Sequence, residues 1–145
     1  MADIMIAVDL SPFSENVVSN GVALAKKMQA PVVLFSVVEI GIGIALPDAG
    51  PTVADDIPAR MRETEERLTA FKNQYPDMDI RIVVTAGSAK NETLEQAHNG
   101  DTSYLVVGTH GRTGLDHMLM GSTAEYIIRH ARIPVLVIPY NQAAH

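Results

Sequence analysis

Gly108-Thr109-His110-Gly111, followed after nine residues by Gly121-Ser122-Thr123, is the stretch that decides how this chain is read. Ahead of it stands the apolar run Tyr104-Leu105-Val106-Val107, which reads as a buried strand. Behind it Glu125-Tyr126-Ile127-Ile128-Arg129-His130 reads as a helix. A strand, a glycine loop and a helix N-terminus in that order resemble a phosphate cradle. Backbone N–H groups with no Cβ in the way can close on phosphate oxygens, and Ser122 and Thr123 add hydroxyl donors at the positive end of the helix dipole. Such a loop binds an anion without a lysine. Ser122 and Thr123 also fit as ordinary N-caps, and the two roles are compatible because a helix start has several free N–H groups.

Outward from this stretch, apolar runs alternate with helical patterns, which is the signature of parallel strands joined by crossover helices. Ile4-Met5-Ile6-Ala7-Val8 is the first strand. Ser11 and Pro12 read as N-cap and first helical position, and Val17, Val18, Val22, Leu24, Ala25 and Met28 give that helix its inner face. Val32 to Val38 is apolar throughout, as an interior parallel strand should be. A long helix from about Ala54 to Tyr75 puts Met61, Leu68, Phe71 and Tyr75 on one side. Ile80 to Val84, a short helix from Asn91 to about His98, Tyr104 to Val107 and Val135 to Ile138 complete the series. The expectation is a single α/β domain over residues 1–145: a doubly wound, three-layer sheet of five parallel strands with four helices. Residues 39–53 break the pattern, because Gly41, Gly43, Pro47, Gly50 and Pro51 oppose regular structure while Ile40, Ile42, Ile44 and Leu46 stay apolar. They read either as a lid or partner-contact loop or as a mobile insertion.

At these residues the chain resembles the universal stress protein family, whose nucleotide-binding branch carries G-x2-G-x9-G-[S/T]. Gly108, Gly111, Gly121 and Ser122 keep that spacing, Val8-Asp9-Leu10-Ser11-Pro12-Phe13-Ser14 matches the opening V-D-x-S-x-x-S, and Pro134-Val135-Leu136-Val137 matches a closing block. The resemblance covers nearly the whole chain and implies strand order 3-2-1-4-5 and ATP as the ligand. In such a sheet the ligand lies at the carboxyl ends of the strands where the order reverses, between the first and fourth strands. Asp9 would then accept from ribose hydroxyls, the backbone of Ala7 and Val37 would meet the adenine, and Gly108, Gly111, Gly121, Ser122 and Thr123 would take the phosphates. Taken alone, Asp9 fits a turn that helps cap the first helix; beside the complete glycine motif the ribose contact is the favoured reading. Arg112, the one cation inside the loop, either meets a terminal phosphate or lies in solvent. His110 and His117, with only Asp116 as a nearby carboxylate, read as surface histidines. Gly87-Ser88-Ala89 stands where many relatives have G-x-P, and Asn99-Gly100-Asp101-Thr102 replaces the usual lead into the fourth strand; both put the crevice edge in doubt.

Composition narrows the function classes. The net charge is −6 with 11 Lys+Arg scattered along the chain, so no basic stripe is available for a nucleic acid backbone, and tryptophan is absent. Zero cysteines exclude disulfides, thiolate zinc sites and a thiol nucleophile. No apolar run approaches the roughly 20 residues of a membrane span, and a cytoplasmic location is expected. Phosphoryl-transfer sites usually combine a lysine, an acidic metal ligand and a residue orienting the nucleophile. The glycine loop has no lysine, so binding is expected rather than fast turnover, with no catalytic residue and no protein metal site assigned; Mg²⁺ or Mn²⁺ would ride on the phosphates. A slow nucleotide hydrolase on the same scaffold and a dimerising relative that binds no nucleotide are the alternatives. A receiver domain is excluded because Asp9 stands without an acidic cluster and Pro139-Tyr140-Asn141 follows the last strand. That strand, with Val135 and Val137, is an apolar edge bounded by Pro134 and Pro139. Both this edge and the resemblance point to an antiparallel homodimer.

Overall fold

The computed structural model describes residues 2–40, 56–109 and 120–139. The loop beyond Ile40, together with His110, Gly111, Arg112 and His117, lies outside the described residues. Five strands, β1 (Asp3–Ala7), β2 (Val32–Glu39), β3 (Ile80–Gly87), β4 (Thr102–Gly108) and β5 (Val135–Ile138), form one parallel sheet in the order β3-β2-β1-β4-β5. Among the described residues four helices connect them: α1 (Ser14–Met28), α2 (Ile57–Lys72), α3 (Ala89–Asn99) and α4 (Ser122–His130). The register sets Ile6 between Leu34 on one side and Val106 on the other; β1 and β4 end within two residues of this rung, whereas β2 runs on to Glu39 beside β3.

Side chains alternate between two cores, as the pleat requires. Ile4, Ile6, Leu34 and Val106 pack with Val18, Val22 and Ala25 of α1 and Leu68 of α2. Met5, Val33, Phe35, Leu105 and Val107 pack on the other face with Leu94 and Ala97 of α3 and Ile127 of α4. This is the expected three-layer α/β/α arrangement. Gly21 permits a close approach of α1 to β1, because a Cβ there would run into Ile6 Cδ1 and would lie 2.6 Å from Ile6 Cγ1.

Two local expectations are corrected. α1 begins at Ser14 with Phe13 at the N-cap position, rather than at Ser11 and Pro12. The intervening residues make a turn instead: Ser14 N–H donates to the Ser11 carbonyl at 3.0 Å, and Phe13 N–H donates to Ser11 Oγ at 3.2 Å. Met28 is 42% exposed and does not join the inner face, since α1 ends there with Gln29 in the left-handed region. No helix among the described residues is long and apolar enough to cross a membrane.

Candidate functional site

β1 ends because the chain turns sharply at Asp9-Leu10-Ser11. Leu10 takes a φ of 62°, an uncommon conformation for a branched residue. Asp9 Oδ1 holds the turn by accepting from Ser11 N–H at 2.9 Å and from Ser14 Oγ at 3.1 Å. The turn reading of Asp9 is therefore correct, and it leaves the side chain at the carboxyl edge of the sheet. Beside it, Ser36 is the one polar residue in the buried run Val32 to Val38 of β2. Its Oγ donates to the Val8 carbonyl at 2.7 Å, while Val8 N–H donates to the Phe35 carbonyl at 2.8 Å. The carboxyl ends of β1 and β2 are thereby tied together past the last ladder rung.

On the other side of the switch point, Thr109 N–H donates to the Ile138 carbonyl at 3.0 Å and Gly121 N–H donates to the Thr109 carbonyl at 2.7 Å. The start of α4 is thus anchored directly onto the exit of β4. Gly121, not Ser122 or Thr123, is the N-cap, and no side chain caps the helix. This corrects the N-cap reading of the two hydroxyl residues: Ser122 and Thr123 are the first helical residues, both exposed, with the first-turn N–H groups left to solvent or a ligand. Gly121 has φ −63° and ψ 152°, backbone that any residue adopts, and Gly87 alone among the described glycines has positive φ. What glycine supplies at 108 and 121 is the missing Cβ.

These elements enclose a cavity of about 590 Å³, within the range of small-molecule sites. Ala7, Asp9, Val37, Gly108, Gly121, Ser122 and Thr123 all line it, so every described residue of the expected nucleotide site converges there. Gly111 and Arg112 lie outside the described residues. The sequence reading missed Phe35, Glu39, Met120 and, from α3, Ala89 and Thr93. The replacement of proline by Ala89 does not disturb the rim: Ser88 is the N-cap of α3, Glu92 N–H donates to its carbonyl at 2.8 Å, and the helix begins at Ala89.

Asp9, Glu39 and Glu125 are the charged residues among the described lining, and no lysine or arginine joins them. Glu125 is paired with the exposed Arg129, one turn on in α4, at 2.8 Å. An anion bound here would be held by backbone N–H groups and the helix dipole. Among the described residues no three His, Asp or Glu side chains gather where they would hold a metal ion.

The sequence model of the universal stress protein family matches residues 1–139. A universal stress protein of Methanocaldococcus jannaschii is 31% identical over 138 residues, covering 93% of this chain and 80% of that protein. Relatives in Mycobacterium tuberculosis are 30% identical over 145 residues, but this chain spans only 45% of their length. Among solved structures, the universal stress protein UspA of Lactobacillus plantarum superposes with a TM-score of 0.83 at 20% identity, covering 94% of this chain and 97% of that one. A universal stress protein in complex with cAMP superposes with a TM-score of 0.65 at 21% identity, covering 97% of this chain and 98% of that one.

Proposed function

The chain belongs to the universal stress protein family, and within it we propose a regulatory protein of the stress response that binds ATP and acts as a cytoplasmic homodimer. The observation that carries this reading is the convergence of Asp9, Val37 and the uncapped start of α4 on one cavity of about 590 Å³. Its two ends have different chemistry. Phe35, Val37, Ala7 and Ala89 offer an apolar surface suited to a base, whereas Gly108, Gly121, Ser122 and Thr123 offer donors without bulk, suited to phosphates. Asp9 is the proposed acceptor for ribose hydroxyls, and Gly111 and Arg112, outside the described residues, belong to the same glycine motif of the sequence. A relative of the same fold that is known in complex with cAMP supports an adenine nucleotide as the ligand class.

With three carboxylates and no basic residue among the described lining, phosphates are best accommodated with part of their charge already neutralised. Mg²⁺ or Mn²⁺ fits that need, carried on the phosphate oxygens and water rather than on protein ligands. Dimerisation through β5 is supported by its place at the end of the sheet order and by Val135, Leu136 and Val137, which remain only half-buried against β4. The nucleotide reading is tested by nucleotide analysis of protein purified without added ligand, followed by calorimetry with ATP and Mg²⁺. Recovery of adenine nucleotide and saturable ATP binding are expected. Absence of both rejects the reading, and multiple turnovers of ATP by the purified protein would replace it with the hydrolase.

A further inference from the structure

Five hydroxyl side chains among the described residues are more than nine-tenths buried: Ser11, Ser14, Ser36, Thr64 and Thr93. Four of them have partners. Ser11 Oγ accepts from Phe13 N–H, Ser14 Oγ donates to Asp9, Ser36 Oγ donates to the Val8 carbonyl, and Thr64 Oγ1 donates one turn back to the Arg60 carbonyl. Thr93 is 4% exposed, yet its hydroxyl makes no hydrogen bond among the described residues. It does not return to the carbonyl four residues earlier as Thr64 and Thr69 do. A buried hydroxyl without a partner is unfavourable unless something outside the fold completes it.

Thr93 lines the cavity. Thr85 makes the contrast: its Oγ1 also lacks a partner, but that atom is sealed from solvent and the residue is not part of the lining. The position of Thr93 indicates which part of a ligand it would meet. α3 lies over β2 on the face opposite α1, and Asp9 is tied to α1 through Ser14. Thr93 therefore enters from the face opposite α1, where α3 packs on β2 beside Phe35 and Val37 and also touches α4, and not from the side of Asp9.

We propose that Thr93 is a base-reading residue of this site, its hydroxyl completing a hydrogen bond with the polar edge of an adenine ring laid against the end of β2. This rests on the nucleotide reading of the cavity. A hydroxyl both donates and accepts, so it suits either a ring nitrogen or the exocyclic amine of the base. Thr93→Val keeps the shape and deletes the oxygen, whereas Thr93→Ser keeps the oxygen.

Calorimetry with adenosine, AMP and ATP on the parent and both variants tests the assignment. The valine variant should lose roughly two- to tenfold in affinity, the worth of one neutral hydrogen bond. The factor should be the same for all three ligands, with the ATP-to-dATP ratio unchanged and the serine variant near the parent. Ligand-free Thr93→Val should melt no lower than the parent, because it removes an unpartnered hydroxyl. Parent-like ATP binding by the valine variant overturns the role of Thr93 alone. A loss seen with ATP but not adenosine moves the contact to the phosphates and overturns it as well, as does a lowered melting point of the ligand-free variant. A parent that binds none of the three ligands overturns this inference together with the nucleotide reading.

Discussion

Replacing Asp9 separates the turn that its carboxylate holds in the structure from the ribose contact proposed for it. Its Oδ1 accepts from Ser11 N–H at 2.9 Å and from the Ser14 hydroxyl at 3.1 Å, and Ser14 is only 2% exposed. Asp9→Ala leaves that hydroxyl without its acceptor. A hydrogen bond to a charged group contributes about 1.5–3 kcal/mol. Asp9 itself is half-buried, and water can replace part of what is lost, so a total near 2 kcal/mol is expected for the two bonds. For a domain of this size that lowers Tm by roughly 6–8 °C. Asp9→Asn keeps an oxygen in place of Oδ1 and should cost less than about 1 kcal/mol of stability. Nucleotide binding should follow a different rule, because the proposed ribose contact uses the charge. Asp9→Ala should weaken ATP by roughly ten- to a hundredfold and Asp9→Asn by several-fold, and both should blunt the preference for ATP over dATP. Thermal melts read the turn, and calorimetry with ATP and dATP reads the ribose contact. If Asp9→Ala melts several degrees lower yet discriminates ATP from dATP as the parent does, Asp9 is a turn residue only and the ribose assignment is refuted.

Gly121→Val should abolish ATP binding by calorimetry while lowering stability by no more than about 1 kcal/mol, since φ −63° and ψ 152° suit valine and only the room for phosphate is lost. ATP affinity equal to the parent's would remove the phosphates from this loop. Gly21→Ala should destabilise in a denaturant melt. Overpacking against the fully buried Ile6 costs about 1–3 kcal/mol and better helix propensity returns about 1, so a net loss of up to about 2 is expected, and a gain would show that Ile6 yields freely. Light scattering should give twice the 15.6 kDa chain mass for the parent and a single chain for Val137→Lys; a single-chain mass for the parent itself rejects the β5 dimer.

The fold was legible because its strands are apolar on both faces. Seven consecutive residues of β2 are buried, from Val32 to Val38, and a run of that kind bounded by helical periodicity has few readings other than an interior parallel strand. The strand order came from the resemblance and not from the runs themselves. Local chemistry was less reliable where one residue suited two roles. Ser11-Pro12 has the composition of a helix start, but the backbone spends Ser11 on a turn around Asp9 and begins α1 three residues later. Ser122 and Thr123 have the composition of caps, yet the anchoring of Gly121 N–H on the Thr109 carbonyl makes the glycine the cap and turns both hydroxyl residues into the first helical positions.

The same distinction divides the candidate site. The end expected to take phosphates was readable because the glycines are spaced along one segment, so the pattern survives in a linear string. The opposite end was not, because Phe35, Ala89 and Thr93 come from β2 and α3 and meet only through the crossover that lays α3 over β2. A single threonine beside Leu94 looks like an ordinary residue of an amphipathic helix, and only its place in the cavity lining, with a hydroxyl that no described residue completes, sets it apart. The charges obey the same logic. Asp9, Glu39 and Glu125 are far apart in sequence, and their gathering around a cavity with no basic residue among its described lining appears only in the fold. On the nucleotide reading proposed above, the described lining would hold the ligand through backbone dipoles and apolar contact. Its selectivity should then lie where those contacts discriminate, at the base and the ribose, and its affinity for bare phosphate should be low.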